Sequence, residues 1–229
     1  MVQVNQAKQI LRFRFKKLGS LQYISHLDLV RTMHKVIVRA KLPLWYSEGF
    51  NPKPKMVFAA PLSIGTESIC EFMDLRMNEY IDPAEAMARI NANMTEEMQV
   101  FEAYYPETKF TDLKWMSYRM TINIENLSAA LVDRCNDLFA SELIEVGKKN
   151  SDQTINIKPL IKSATAEMVD NSLIINAVLS ADPSAFLNPE YLIKALRDKC
   201  EILSSLDLTS ESYEILRLNA FTADMTEFR

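Results

Sequence analysis

The chain has 229 residues, 48% of them hydrophobic and 24% charged, and its net charge of −4 hides a polarisation. Residues 1–55 carry eleven Lys/Arg against Asp28 and Glu48, a local +9, while residues 56–229 carry −13. Four scattered glycines and three cysteines without a Cys-x-x-Cys spacing exclude a dinucleotide fingerprint, a P-loop, a nucleophile elbow, a thiolate zinc site and a locally encoded iron–sulfur cluster.

In chain order, Ile10–Lys17 alternates Leu11, Phe13 and Phe15 with Arg12, Arg14 and Lys16, the period of two of a half-buried strand. Ser25 caps a helix over 26–41, with Leu27, Val30, Met33, Ile37 and Ala40 as its apolar stripe, and Pro43 ends it. Residues 44–61 form a loop with a short strand at Met56–Ala60. A strand at Cys70–Met77, a helix at Asp82–Met94 opened by Pro83, and a strand at Met98–Tyr105 complete a β-α-β-β-α-β unit.

The pattern then repeats. Met116–Glu125 reads as a strand, Leu127–Ser141 as a helix and Thr154–Met168 with Ser172–Ser180 as a long hairpin turning at Asp170-Asn171. A helix at Asn188–Glu201 and a strand at Tyr213–Phe221 close the chain. The expected fold is therefore α+β: two tandem ferredoxin-like (βαββαβ) sandwiches, a basic domain over 1–107 and an acidic one over 113–229.

Four sets of residues carry functional expectations. If Leu11, Phe13 and Phe15 face the helices, Arg12, Arg14 and Lys16 line the other sheet face, either open as a platform for single-stranded RNA or covered and paired with carboxylates. On the helix, Arg31, Lys35 and Arg39 recur at i, i+4, i+8 and form a stripe suited to a phosphate backbone. The loop Leu44–Lys55 joins three aromatics, two lysines and two prolines, the chemistry of single-strand recognition. Trp45 and Phe50 are expected to be mostly structural and Tyr46, Lys53 and Lys55 exposed. Ser25-His26-x-Asp28 reads as a capping cluster or, with Glu48, as weak acid–base candidates His26, Asp28 and Glu48. His26 and His34 stand about 12 Å apart along the helix and cannot share one ion, so no metal is expected.

Several strings resemble one family. Phe15-Lys-Lys, Ile24-Ser-His-Leu-Asp-Leu-Val-Arg31, Arg39-Ala-Lys-Leu-Pro43, Tyr46-Ser-Glu-Gly-Phe-Asn-Pro-Lys-Pro-Lys55, Ala60-Pro-Leu-Ser-Ile-Gly65 and Glu71 look like the radical-SAM-linked family. This is a bacterial domain of unknown function, fused behind or encoded beside radical S-adenosylmethionine proteins. The resemblance spans residues 11–75 and makes Ser25, His26, Asp28, Arg31, Ser47, Glu48, Gly49, Phe50, Asn51, Pro52, Pro54, Lys55, Gly65 and Glu71 its motif positions. The family usually has histidine where this chain has Lys53, which counts against an acid–base role there.

The resemblance implies a radical SAM partner carrying the iron–sulfur cluster and S-adenosylmethionine, with no cofactor in this chain. Together with the basic segment it gives three expectations. The first is an RNA-binding or substrate-presenting accessory module acting on ribosomal or transfer RNA; the second is an RNA-processing or RNA-modifying enzyme using His26; the third is a protein-interaction adaptor. The sparse cysteines point to the cytoplasm, and no apolar run approaches the roughly 18–20 residues of a membrane span.

Overall fold

A computed structural model describes residues 9–124, 127–148, 152–203 and 212–229. The architecture is α+β, with four α-helices among the described residues. It divides into two compact units, Met1–Phe110 with Arg229, and Thr111–Phe228.

The first unit runs β1 (Gln9–Lys17), α1 (His26–Arg39), β2 (Met56–Phe58), β3 (Thr66–Met77), α2 (Pro83–Asn91) and β4 (Val100–Tyr104). In its sheet β1 lies between β4 and β3, and β2 borders β3, with these pairs antiparallel. Leu11, Phe13 and Phe15 are fully buried and share a core with Met33 and Ile37 of α1, Ile90 of α2 and Met73, Leu75 and Met77 of β3. Burying side chains of this size stabilises by about 1.5–3 kcal/mol each. A one-residue slip of β1 would exchange them for Arg12 and Arg14, so the register is firmly set.

Local chemistry starts the helices. Ser25 Oγ accepts the Asp28 N–H at 3.1 Å at the head of α1, and Asp82 Oδ1 accepts the Glu85 N–H at 3.0 Å at the head of α2, where Pro83 takes the first turn. The buried stripe of α1 differs from the expected one. It is Leu29, Met33, Val36, Ile37 and Ala40, while Leu27 is exposed. At 100° per residue Leu27 sits about 200° from Leu29, on the solvent side. The strand expected from Cys70 begins earlier, at Thr66, and the short strand after the loop ends at Phe58.

The second unit runs β5 (Trp115–Asn123), α3 (Ala129–Ala140), β6 (Glu145–Gly147), β7 (Thr154–Asn156), β8 (Ile161–Val169), β9 (Ser172–Ser180), α4 (Glu190–Cys200) and β10 (Ser212–Phe221). Its main sheet is antiparallel in the order β10-β5-β9-β8. Asp170 and Asn171 both take positive φ, 47° and 64°, in the turn between β8 and β9, as their short polar side chains permit. The long strand expected from Thr154 is interrupted. A 3₁₀ turn at Lys158–Leu160 contains Pro159, which has no N–H for a ladder, and β7 pairs with β6 instead. Part of the strand expected to reach Glu125 lies outside the described residues.

No helix among the described residues is long and apolar enough to cross a membrane.

Candidate nucleic-acid interface

The face of the first sheet opposite the core is not an open basic platform. Arg12 is fully buried: Nε and Nη2 donate to the two carboxylate oxygens of Asp74 at 2.7 and 2.9 Å, and Nη1 donates to Thr108 Oγ1 at 2.8 Å. Its guanidinium also lies 4.4 Å over the Phe110 ring. Arg14 sits between Phe72 and Phe101, 5.7 and 5.4 Å from their centroids, with Glu102 at 3.8 Å, and Lys16 is half-buried. Arg229 covers Tyr104 at 5.2 Å and pairs with Glu102. Arginine–aromatic stacks and two carboxylates thus cover and pair Arg12 and Arg14, two of the three cations that alternation places there. Burial raises the Asp74 pKa, and the Arg12 hydrogen bonds and charge only partly offset it.

The exposed cations lie elsewhere in the same unit. Arg31, Lys35 and Arg39 stand on the solvent face of α1. Arg31 reaches back 3.3 Å to Asp28, with both side chains more than half exposed. Such a pair contributes under about 1 kcal/mol, too little to keep Arg31 from a phosphate.

The segment after α1 is a tight hairpin. Trp45 O accepts from the Lys55 N–H at 3.2 Å, Ser47 N–H donates to Lys53 O at 2.9 Å, and Ser47 Oγ accepts from the Lys53 N–H at 3.1 Å. Tyr46 and the buried Pro54 bridge the two sides. Glu48, Gly49, Phe50, Asn51 and Pro52 form the exposed tip, where Gly49 adopts φ +122°, a conformation L side chains rarely take. Tyr46, Lys53 and Lys55 are exposed. Phe50 is fully exposed rather than structural, because the tip carries it beyond any neighbour it could pack on. Trp45 is half-buried under the Arg76 guanidinium, 4.9 Å from the ring.

Two contacts and one electrostatic coupling draw the motif segments together. Burial first, and then the charge of Lys53, lower the pKa of the His34 imidazole on α1 below its ordinary value. His26 stands edge-on to Phe58 of β2 at 5.6 Å. Gly65, at φ +83°, donates its N–H to Gln22 O at 3.0 Å just ahead of Ser25. Glu71 is buried on the core face of β3, opposite Phe15.

The acid–base candidates are not assembled. Asp28 Oδ2 accepts the Ser25 hydroxyl at 2.7 Å and Oδ1 faces Arg31, which makes Ser25 and Asp28 a capping pair. Among the described residues His26 has no hydrogen bond to Asp28 or Glu48, and Glu48 is at the hairpin tip. No group of metal-ligating side chains occurs among the described residues. Sequence reasoning missed Arg76. It lies beyond the basic segment, and the signal available was the Asp74-x-Arg76 alternation within a strand.

Residues 11–189 match the family described as "uncharacterized protein conserved in bacteria (DUF2344)". The chain belongs to that family. The match takes in both the motif-bearing first unit and most of the second, well beyond the strings quoted from residues 11–75. No curated protein matches this DUF2344 chain. A crystal structure of a Cbf5-Nop10-Gar1 complex aligns with 93% of it at 8% identity and a TM-score of 0.49; the DUF2344 chain spans 49% of that chain, about half its length. An unknown protein from Galdieria sulphuraria aligns over 92% of this chain and 99% of that one, at 10% identity and a TM-score of 0.27. At these scores neither likeness bears on function.

Proposed function

We propose that this DUF2344 chain is an RNA-binding or substrate-presenting accessory module, cytoplasmic, that works beside a radical SAM protein on ribosomal or transfer RNA. The observation that carries the reading is the exposed set on the first unit: Arg31, Lys35 and Arg39 along α1, and Tyr46, Phe50, Lys53 and Lys55 on the neighbouring hairpin. Cations that track a backbone beside aromatics that stack on bases suit single-stranded RNA. The strand order within each unit supports a finer reading of the fold, two tandem ferredoxin-like sandwiches over 1–107 and 113–229. The radical SAM partner, which would supply the iron–sulfur cluster and S-adenosylmethionine, is supported by the motif resemblance. Cys70, Cys135 and Cys200 form no disulfide, in accord with a reducing cytoplasm.

The test is fluorescence anisotropy with short single-stranded and hairpin RNAs across a salt series. Each lost phosphate contact lowers the slope of log K against log salt by about 0.7 on a single strand. The Arg31→Ala/Lys53→Ala/Lys55→Ala variant is therefore expected to lose about 2 from the slope, with weaker binding at low salt. An unchanged slope removes the reading.

A further inference from the structure

Beside the hairpin, the non-core face of the first sheet opens into a cleft of about 200 Å³. Strand register builds its floor. Ile10 pairs with Arg76 across β1 and β3, and Val57 pairs with Asp74 across β2 and β3, so these four side chains share one face. Lys55 closes one side, held there because its carbonyl accepts the Arg76 N–H at 3.1 Å. This is the end of the face that the Phe110 segment and Arg229 do not cover.

The charges in the cleft are unequal. Asp74 is already engaged by Arg12 through both oxygens. Lys55 and Arg76 have no carboxylate partner among the described residues, so two cations stand uncompensated. The Arg76 guanidinium lies over the Trp45 indole, 4.9 Å from the ring centroid, and a guanidinium presents its N–H groups as a fork that matches phosphate. Ile10 and Val57 meanwhile expose 48% and 44% of their surface, an apolar shelf beside the cations. Pockets for drug-sized molecules run to roughly 300–1,000 Å³. A cleft of 200 Å³ is too small for a dinucleotide cofactor and of the scale of one base with one phosphate.

We propose that this cleft holds one unstacked nucleotide of an RNA strand, its base on Ile10 and Val57 and its phosphate between Lys55 and Arg76. The inference rests on the RNA-binding reading and locates a base-accepting subsite within it. The exposed lysine and arginine stripe supplies sequence-independent attraction, and the cleft supplies the position where one base leaves the stack.

Trp45 lies under Arg76 and reports occupancy. In the 229-residue chain carrying Trp115→Phe, Trp45 is the remaining tryptophan, and its fluorescence is titrated with AMP, UMP, inorganic phosphate and an oligoglutamate peptide at low salt. Saturable quenching by the mononucleotides is expected, with inorganic phosphate at least tenfold weaker. Val57→Glu, on an exposed position of an edge strand, is expected to abolish quenching and to lower RNA affinity about tenfold with the circular dichroism spectrum unchanged. Arg76→Gln, which keeps a stem against Trp45 and removes the charge, is expected to do the same if Val57→Glu misfolds. RNA binding at full strength in both variants, without nucleotide quenching in the parent, overturns the subsite and leaves the RNA reading standing. Quenching by oligoglutamate but not by nucleotides overturns it in favour of an acidic peptide. A parent protein that binds no RNA overturns the RNA reading and, with it, the assignment to a strand.

Discussion

Truncating Arg12 separates the two readings of the basic strand. In the folded chain Arg12 is fully buried and forks onto Asp74, whose side chain is only 12% exposed. Arg12→Ala leaves that carboxylate buried without its counter-charge, a loss of about 3–5 kcal/mol. At this chain length each kcal/mol moves the midpoint by roughly 2–4 °C, so a drop of about 6–20 °C in thermal unfolding is expected. The pH dependence carries a definite sign. Burial raises the Asp74 pKa above its ordinary 3.8, and Arg12 pulls it back in part. For a raised carboxylate, the folded state's gain from holding the proton is full below 3.8 and is lost as pH rises through the folded value. Removing Arg12 raises the pKa further, so the variant's deficit is widest near pH 7–8 and narrows as pH falls towards 3.8 and Asp74 takes up a proton. Replacing both partners, as Arg12→Met/Asp74→Leu, is expected to recover most of the lost stability, because two apolar side chains leave no buried charge unpaired. Unfolding by circular dichroism between pH 4.5 and 8 reads all three. A deficit below about 1 kcal/mol, or one that does not change with pH, would refute the buried-pair account and return Arg12 to the candidate RNA face.

Two smaller perturbations test neighbouring motif positions. Ser25→Ala removes the acceptor for the Asp28 N–H and is expected to cost about 1 kcal/mol in urea unfolding, whereas His26→Ala, losing one edge contact at an exposed site, is expected to cost less; the reverse order would contradict the capping role. Gly65 holds φ +83° with open space where a Cβ would stand, so Gly65→Val is expected to cost about 1–2 kcal/mol from backbone strain alone, and Gly65→Asn less, as measured by the same unfolding assay.

How much of the candidate site was legible in sequence depends on what each residue's neighbours are. The alternation of Ile10–Lys17, the cap at Ser25 and the helix opening at Pro83 are written in adjacent residues, and the structure follows them. The exposure of Arg31, Lys35 and Arg39 follows from a 3.6-residue period once the buried stripe is placed, although the stripe itself is centred on Leu29 and Met33 rather than on Leu27. Pro159 was visible too, and its missing N–H explains why the strand after Thr154 breaks in two. For Phe50, composition was misleading: an aromatic between Gly49 and Asn51 has no local signal that separates a core plug from an exposed tip.

By itself, then, the amino-acid sequence determined periodicities, caps, turns and the crowding of positive charge into 55 residues, because all of these act over a few positions along the chain. Which of those charges face solvent was decided only by tertiary structure. Arg12 meets Asp74 and Thr108 across 62 and 96 residues, and those distant partners turn it from a surface cation into a buried one. Arg76, unremarkable in its strand, becomes the flat cation over Trp45 for the same reason. Electrostatic energy depends on distance through space and on burial, and neither is encoded in spacing along the chain.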